Sequence, residues 1–157
     1  MIHSTHRGFT LLVAVVLGSV ALSIGLALLD IAYKQSVLAS SAKQSQFAFY
    51  AADAVLECAL YYDQHGASFA YSASSASVTC TNQANVAVDF NSNQTVTVGG
   101  TVYRTRTFTL PCTGGGTLGY AKVYKAADNT TQIYANGYNL CDTSNERRIE
   151  RGLRISY

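Results

Sequence analysis

Residues 9–29 of this chain carry no charged side chain and no proline. Laid out as an α-helix, that stretch is about 31 Å long, close to the hydrocarbon thickness of a bilayer. An ordinary secretory signal peptide has an apolar region of only about 7–15 residues before its cleavage site, so this run is too long for one. No cysteine follows it as in a lipoprotein signal. His3, His6 and Arg7 precede the run, which puts the N-terminus on the cytoplasmic side. The bias is slight, since Lys34 and Lys43 stand beyond the run. Everything after about Asp30 is then expected outside the cytoplasm, with the chain a single-pass protein of the inner or cytoplasmic membrane.

Within the run, Ala14, Gly18, Ala21 and Gly25 are four, three and four residues apart. At the helical angular step they fall in a strip about 60° wide, which Ala32, Ser36 and Ala39 continue. Small residues at this spacing let helix backbones approach closely, and that packing drives association in lipid, where apolarity alone gives no preference. Glycine and alanine are also simply common in membrane helices. A strip sustained this long favours a helix packed against other helices.

The helical signal continues past the membrane. No glycine or proline occurs from Asp30 to Tyr62, and Gly66 ends the run. Ile31, Leu38, Phe49, Leu56 and Tyr61 recur at roughly helical spacing, with Phe47, Tyr50 and Ala51-Ala52 widening the stripe. One helix over residues 10–62 is predicted, amphipathic over 30–63. Residues 66–77 read as a low-complexity loop. Strands are predicted at 77–80, 85–90, 94–98, 101–110, 119–126, 131–135 and 149–157. Turn residues separate them at Asn91-Ser92-Asn93, Gly99-Gly100, Gly114-Gly115-Gly116 and Asp128-Asn129. Gly99-Gly100 suits a two-residue hairpin. The last strand alternates, with Ile149, Leu153, Ile155 and Tyr157 on the face expected to lie on the helix. The expected class is α+β: a long N-terminal helix, transmembrane then amphipathic, packed on an antiparallel sheet formed within residues 64–157.

Cys58, Cys80, Cys112 and Cys141 are the four cysteines. None forms a close Cys-x-x-Cys pair, so metal spacing is lacking. An even count behind an export anchor favours two disulfides, although reduced structural thiols are the plainer alternative. Three connectivities are open. Pairing neighbours along the chain, Cys58 with Cys80 and Cys112 with Cys141, is favoured. Each would close a loop of roughly 20–30 residues and contribute about 3–4 kcal/mol in the loop-entropy model.

Chemistry is sparse. His65 is the only histidine after residue 8, so a His-based triad or zinc site lacks ligands. Gly114–Gly116 is followed by no Lys-Ser or Lys-Thr and is not a phosphate loop. Asp53 and Glu57 share one helix face, which reads as solvated or as a docking face rather than an acid/base pair. Asp142, Asn145 and Glu146 are weak calcium candidates in the loop 141–148, matching no EF-hand spacing. Asn93-Gln94-Thr95 and Asn129-Thr130-Thr131 have glycosylation spacing. A formal net charge of +2 is too weak to argue for nucleic acid. Arg147, Arg148, Arg151 and Arg154 cluster near the C-terminus and suit a surface or inter-subunit role. No enzyme, cofactor or resident metal is expected.

The opening Arg7-Gly8-Phe9-Thr10-Leu11-Leu12, followed by this apolar helix, resembles the start of a type IV prepilin or type II secretion pseudopilin. The resemblance covers the first 50–60 residues and hardly touches the rest. It implies that residues 1–8 are a leader, cut between Gly8 and Phe9 by a prepilin peptidase, with methylation of the new N-terminus. It further implies the pilin plan of a long helix on a sheet, with other pilin-like subunits as partners, the membrane as host before assembly, and a cell-surface or periplasmic filament as product. The family carries a glutamate as fifth residue of the mature chain, and here that position is Val13. That departure is typical of minor or tip subunits. The family's helix-breaking proline near the bilayer edge is also missing, since Pro111 is the single proline. The expectation is therefore a minor or initiating filament subunit of a type IV pilus or pseudopilus. The alternative is a membrane-anchored extracellular recognition domain that does not polymerise. The machine served, whether for adhesion, twitching, DNA uptake or secretion, is left open.

Overall fold

The computed structural model describes residues 7–90 and 94–157. His3, His6, the Asn91–Asn93 turn and the Asn93 acceptor lie outside the described residues. One helix, α1 (Arg7–His65), is followed by seven strands. The strands are β1 (Ser77–Cys80), β2 (Gln83–Ala87), β3 (Thr95–Val98), β4 (Thr101–Pro111), β5 (Thr117–Ala126), β6 (Thr131–Tyr138) and β7 (Glu150–Ser156). The class is α+β. The chain divides into two units, one ending at Ala42 and one running from Lys43 to Tyr157.

In the first unit, the described residues are α-helix throughout. Uninterrupted helix formers and the absence of proline explain this. No glycine-dependent break occurs either: Gly18 and Gly25 are carried within α1.

In the second unit, β3-β4-β5-β6-β7 form one antiparallel sheet in chain order, and β1-β2 form a small second sheet. Gly99 and Gly100 both have positive φ, 58° and 86°, between the paired residues Val98 and Thr101. That is the backbone a primed two-residue hairpin demands, and glycine enters it without strain. β2 ends earlier than the sequence pattern predicts. Asn85 takes φ +57° within the strand, and beyond Ala87 the Val88 amide donates to the Ala76 carbonyl and an isolated bridge joins Asp89 to Thr107. β6 runs to Tyr138 and its burial alternates without a break, buried and half-buried in turn.

The core lies between the end of α1 and one face of the five-stranded sheet. Val55 and Ala59 from the helix meet Ala121, Val123, Ile133, Ala135, Phe108 and Leu110 from the sheet, all fully or almost fully buried. Phe69 in the loop after the helix stacks on Phe108 at 5.9 Å and closes one end. The helix face that packs here corrects part of the sequence reading: Ala51, Ala52 and Leu56 of the predicted stripe face the core, but its aromatic members do not. Phe47, Phe49, Tyr50 and Tyr61 are 45–65% exposed, whereas Ala48, Ala51, Ala52, Val55 and Ala59 are buried.

The reason is how closely the sheet approaches. Gly137 and Gly119 are a cross-strand pair on β6 and β5. A Cβ on Gly137 would overlap the helix backbone at Ala48, Ala51 and Ala52. A Cβ on Gly119 would press on Val55 and on the Asn136 carbonyl. Where these two glycines bring the sheet against the helix, Ala48, Ala51, Ala52 and Val55 face them, and the bulkier Phe47, Phe49, Tyr50 and Tyr61 are turned outward.

Candidate functional sites: the apolar helix and the polar core of the head

The first unit presents an apolar surface without cover. Leu11, Leu12, Val15, Leu17, Leu22 and Leu26 are each at least 60% exposed. The helix is long and apolar enough to cross a membrane. Ala14, Gly18, Ala21, Gly25 and Ala32, the small-residue strip, are exposed as well. Among the described residues, nothing beyond the adjoining helix backbone comes within 4 Å of a Cβ placed on Gly18 or Gly25. Phe9 is 70% exposed, and Val13, where the filament family carries its acid, is 37% exposed. The polar groups within the run are satisfied internally. Ser19 Oγ donates to the Val16 carbonyl and Ser23 Oγ to the Ser19 carbonyl, each at 2.8 Å. In lipid, where water offers no partner, such bonds back onto the helix remove the cost of carrying a hydroxyl. At the end of the run, Lys34 pairs with Asp30 at 2.8 Å, both well exposed. A pair of this kind adds only a few tenths of a kcal/mol.

The head is held by two disulfides and one buried polar network. Cys58 on α1 is joined to Cys80 at the end of β1, across a sequence separation of 22. Cys112 is joined to Cys141 across 29 residues, linking the segments that follow β4 and β6. Gly114–Gly116 make the tight turn inside that second loop, closed by the Cys112 amide donating to the Gly116 carbonyl at 3.1 Å.

The polar network was not foreseen from sequence. Lys125 Nζ on β5 donates to both carboxylate oxygens of Asp63, at 3.1 and 2.9 Å, and to Thr131 Oγ1 at 2.8 Å. Asp63 also accepts from Thr131 Oγ1 at 3.1 Å and from the Tyr157 hydroxyl at 2.8 Å. The last turn of α1, β5, β6 and the C-terminal residue thus meet at one carboxylate. The phenol pKa of Tyr157 is pushed up, first by burial and then by its bond to Asp63 and that group's charge. A signal existed in the strand parity. Lys125 falls on the same alternation as Ala121 and Val123, so a charge was due on a buried face.

The remaining sequence candidates are dispersed. Asp53 is half-buried and Glu57 exposed, on the helix. Asp142 Oδ1 accepts from the Ser144 amide and hydroxyl, and Asn145 Oδ1 from the Arg147 amide. Those oxygens are thus used in turning the loop, and the Asp142 pKa is lowered by the Ser144 bonds. Among the described residues, no three His, Cys, Asp or Glu side chains converge as metal ligands would. Three of the four C-terminal arginines have different tasks. Arg148 stacks on Tyr138 at 3.4 Å and donates to the Leu140 carbonyl. Arg151 Nε reaches Ser45 Oγ on the helix at 2.7 Å. Arg154 lies over Tyr134 and donates to Gln132 Oε1. Arg147 is exposed, and its carbonyl accepts from Asn139 Nδ2.

Fold and site together define an α+β protein with a single N-terminal helix suited to spanning a membrane. The chain matches no protein-family model, no curated protein and no solved structure.

Proposed function

We propose that this chain is a structural subunit of a type IV pilus or related pseudopilus filament, cut after Gly8 and assembled through its N-terminal helix. The observation that carries the reading is the bare apolar surface of residues 9–29 directly behind Arg7-Gly8-Phe9. A surface that apolar all round needs lipid or other helices to cover it. A strip of small residues lets helices pack there. The antiparallel sheet on the far end of the helix is compatible with a pilin-like plan. In the assembled filament, neighbouring helices replace lipid around the strip of Ala14, Gly18, Ala21, Gly25 and Ala32. Val13 offers no acid to the new N-terminal amine, which supports a minor or initiating position over the bulk of the filament.

The reading is tested by mass spectrometry of the protein from cells with an active prepilin peptidase. A chain beginning at Phe9, methylated, and found in the sheared filament fraction is expected. An intact Met1 terminus in those cells removes the proposal. A trimmed chain that stays in the membrane and never enters filaments supports instead the anchored recognition domain.

A further inference from the structure

Arg106 on β4 is 1% exposed, and no carboxylate among the described residues lies within ion-pair distance of it. Every acceptor it has is neutral. Its Nη1 donates to the Thr105 carbonyl at 3.1 Å, and its Nη2 to the Tyr71 and Ala73 carbonyls, both at 3.2 Å. Its guanidinium lies over the Phe90 ring, 4.6 Å from the centroid. Its Nε is buried with no partner among the described residues. Two residues earlier, on the same side of the strand, Arg104 stacks on Tyr71 at 4.3 Å and donates to the Tyr71 carbonyl at 3.0 Å. Burial, and then the charge of Arg104, push the Arg106 pKa down. A guanidinium nevertheless stays charged in a protein. The neighbouring cation of the sheet, Lys125, sits across from Arg104 and is neutralised by Asp63. The two arginines are not neutralised.

Burying one cation beside another without an anion is costly, and carbonyl dipoles and a ring face offset only part of that cost. The arginines also line a cavity of about 280 Å³, with Ser72, Ala73, Ser74 and Phe90 as its other walls. We propose that this cavity binds a small oxyanion, presented as the carboxylate or phosphoryl group of a ligand. Arg104, half-buried and donating to the Tyr71 carbonyl, supplies the planar guanidinium fork that is matched to both groups, and Arg106 adds its charge behind it. Ser72 and Ser74 are exposed at the rim and supply hydroxyls to whatever the anion is attached to. The proposal is independent of whether the chain forms filaments.

The test uses the full chain in nonionic detergent, with arginine side chains labelled for NMR. Sodium phosphate and sodium glucuronate are titrated separately, at ionic strength held constant with sodium chloride. Saturable shifts of the Arg104 and Arg106 Nε–H signals are expected. Saturation by phosphate alone assigns a phosphoryl ligand, and saturation by glucuronate assigns a carboxylate. Arg104→Gln is expected to weaken binding about tenfold, the scale of one charge-assisted hydrogen bond. Arg154→Gln, on the residue stacked over Tyr134, is expected to leave binding unchanged. Absence of a saturable shift with either anion in the wild-type chain overturns the proposal, whatever the variants do. Equal weakening in the Arg104 and Arg154 variants overturns it too, because the attraction would then be one of general charge.

Discussion

Asp63 and Lys125 form an ion pair of 2.9 Å within the second unit, with side chains only 3% and 10% exposed. They stand 62 residues apart in sequence. Thr131 and Tyr157 complete the shell, so the pair ties the last turn of the helix to β5, to β6 and to the residue that follows β7. In a buried pair, removing one partner leaves the other charged and stranded.

Asp63→Ala is therefore expected to destabilise the head by about 3–5 kcal/mol, measured by denaturant unfolding of the full chain in detergent. The double variant Asp63→Leu with Lys125→Met should recover most of that loss, since a matched apolar pair removes both desolvation costs. A double variant as unstable as the single one would show that the pair acts through something other than its charges.

The raised pKa of Tyr157 sets a pH dependence. Its ordinary value is 10.0, and the folded chain holds the proton more tightly. The unfolded chain loses that proton first as pH rises. The stabilisation is thus whole below pH 10 and is lost progressively above it. Unfolding midpoints measured across the alkaline range should fall more steeply for the wild type than for Tyr157→Phe. Parallel curves would contradict the assignment.

Gly137→Ala is expected to lower stability by about 1–3 kcal/mol or more, because the added methyl meets the backbone of Ala48, Ala51 and Ala52 rather than a movable side chain. Circular dichroism melts of the two chains decide it. Gly18→Ala, where nothing lies within 4 Å, should leave the same melt unchanged.

Loss of the Cys112–Cys141 bridge in a double serine variant should cost about 3–4 kcal/mol, as expected for closing a loop of that length. The readout is the shift in denaturant midpoint between the oxidised wild type and the variant under the same conditions.

Substitution of Gly8 by a bulky residue should block trimming on the filament reading, leaving the Met1 terminus in cells that process the wild type. Efficient cleavage at the altered junction would weaken that reading.

Local and periodic features were legible without coordinates. An uncharged run of this length without proline closes its hydrogen bonds within a few residues, so its helix could be read from a short window of sequence. The hairpin at Gly99-Gly100 was legible for the same reason, as its backbone shape depends on two residues. The strand bounds at β2 were not, since where a strand stops depends on which distant segment is there to pair with it, and β2 pairs only with β1. The buried face of the helix was read only in part: Ala51, Ala52 and Leu56 of the predicted stripe lie on the core, while its Phe and Tyr members were included because apolar size was taken as the guide to burial. Ala48, Ala51 and Ala52 won the interior over Phe49 and Tyr61 because Gly119 and Gly137 arrive from strands far along the chain.

The sequence by itself determined an apolar helix, an antiparallel run of strands and their α+β class, since each rests on spacing within a short window. Only the tertiary structure decided that Asp63 meets Lys125, that alanines face the sheet, and that Arg104 and Arg106 share a cavity without an acid. Those outcomes depend on which distant segments come within a few ångströms, and burial and charge pairing are properties of that meeting rather than of any residue alone.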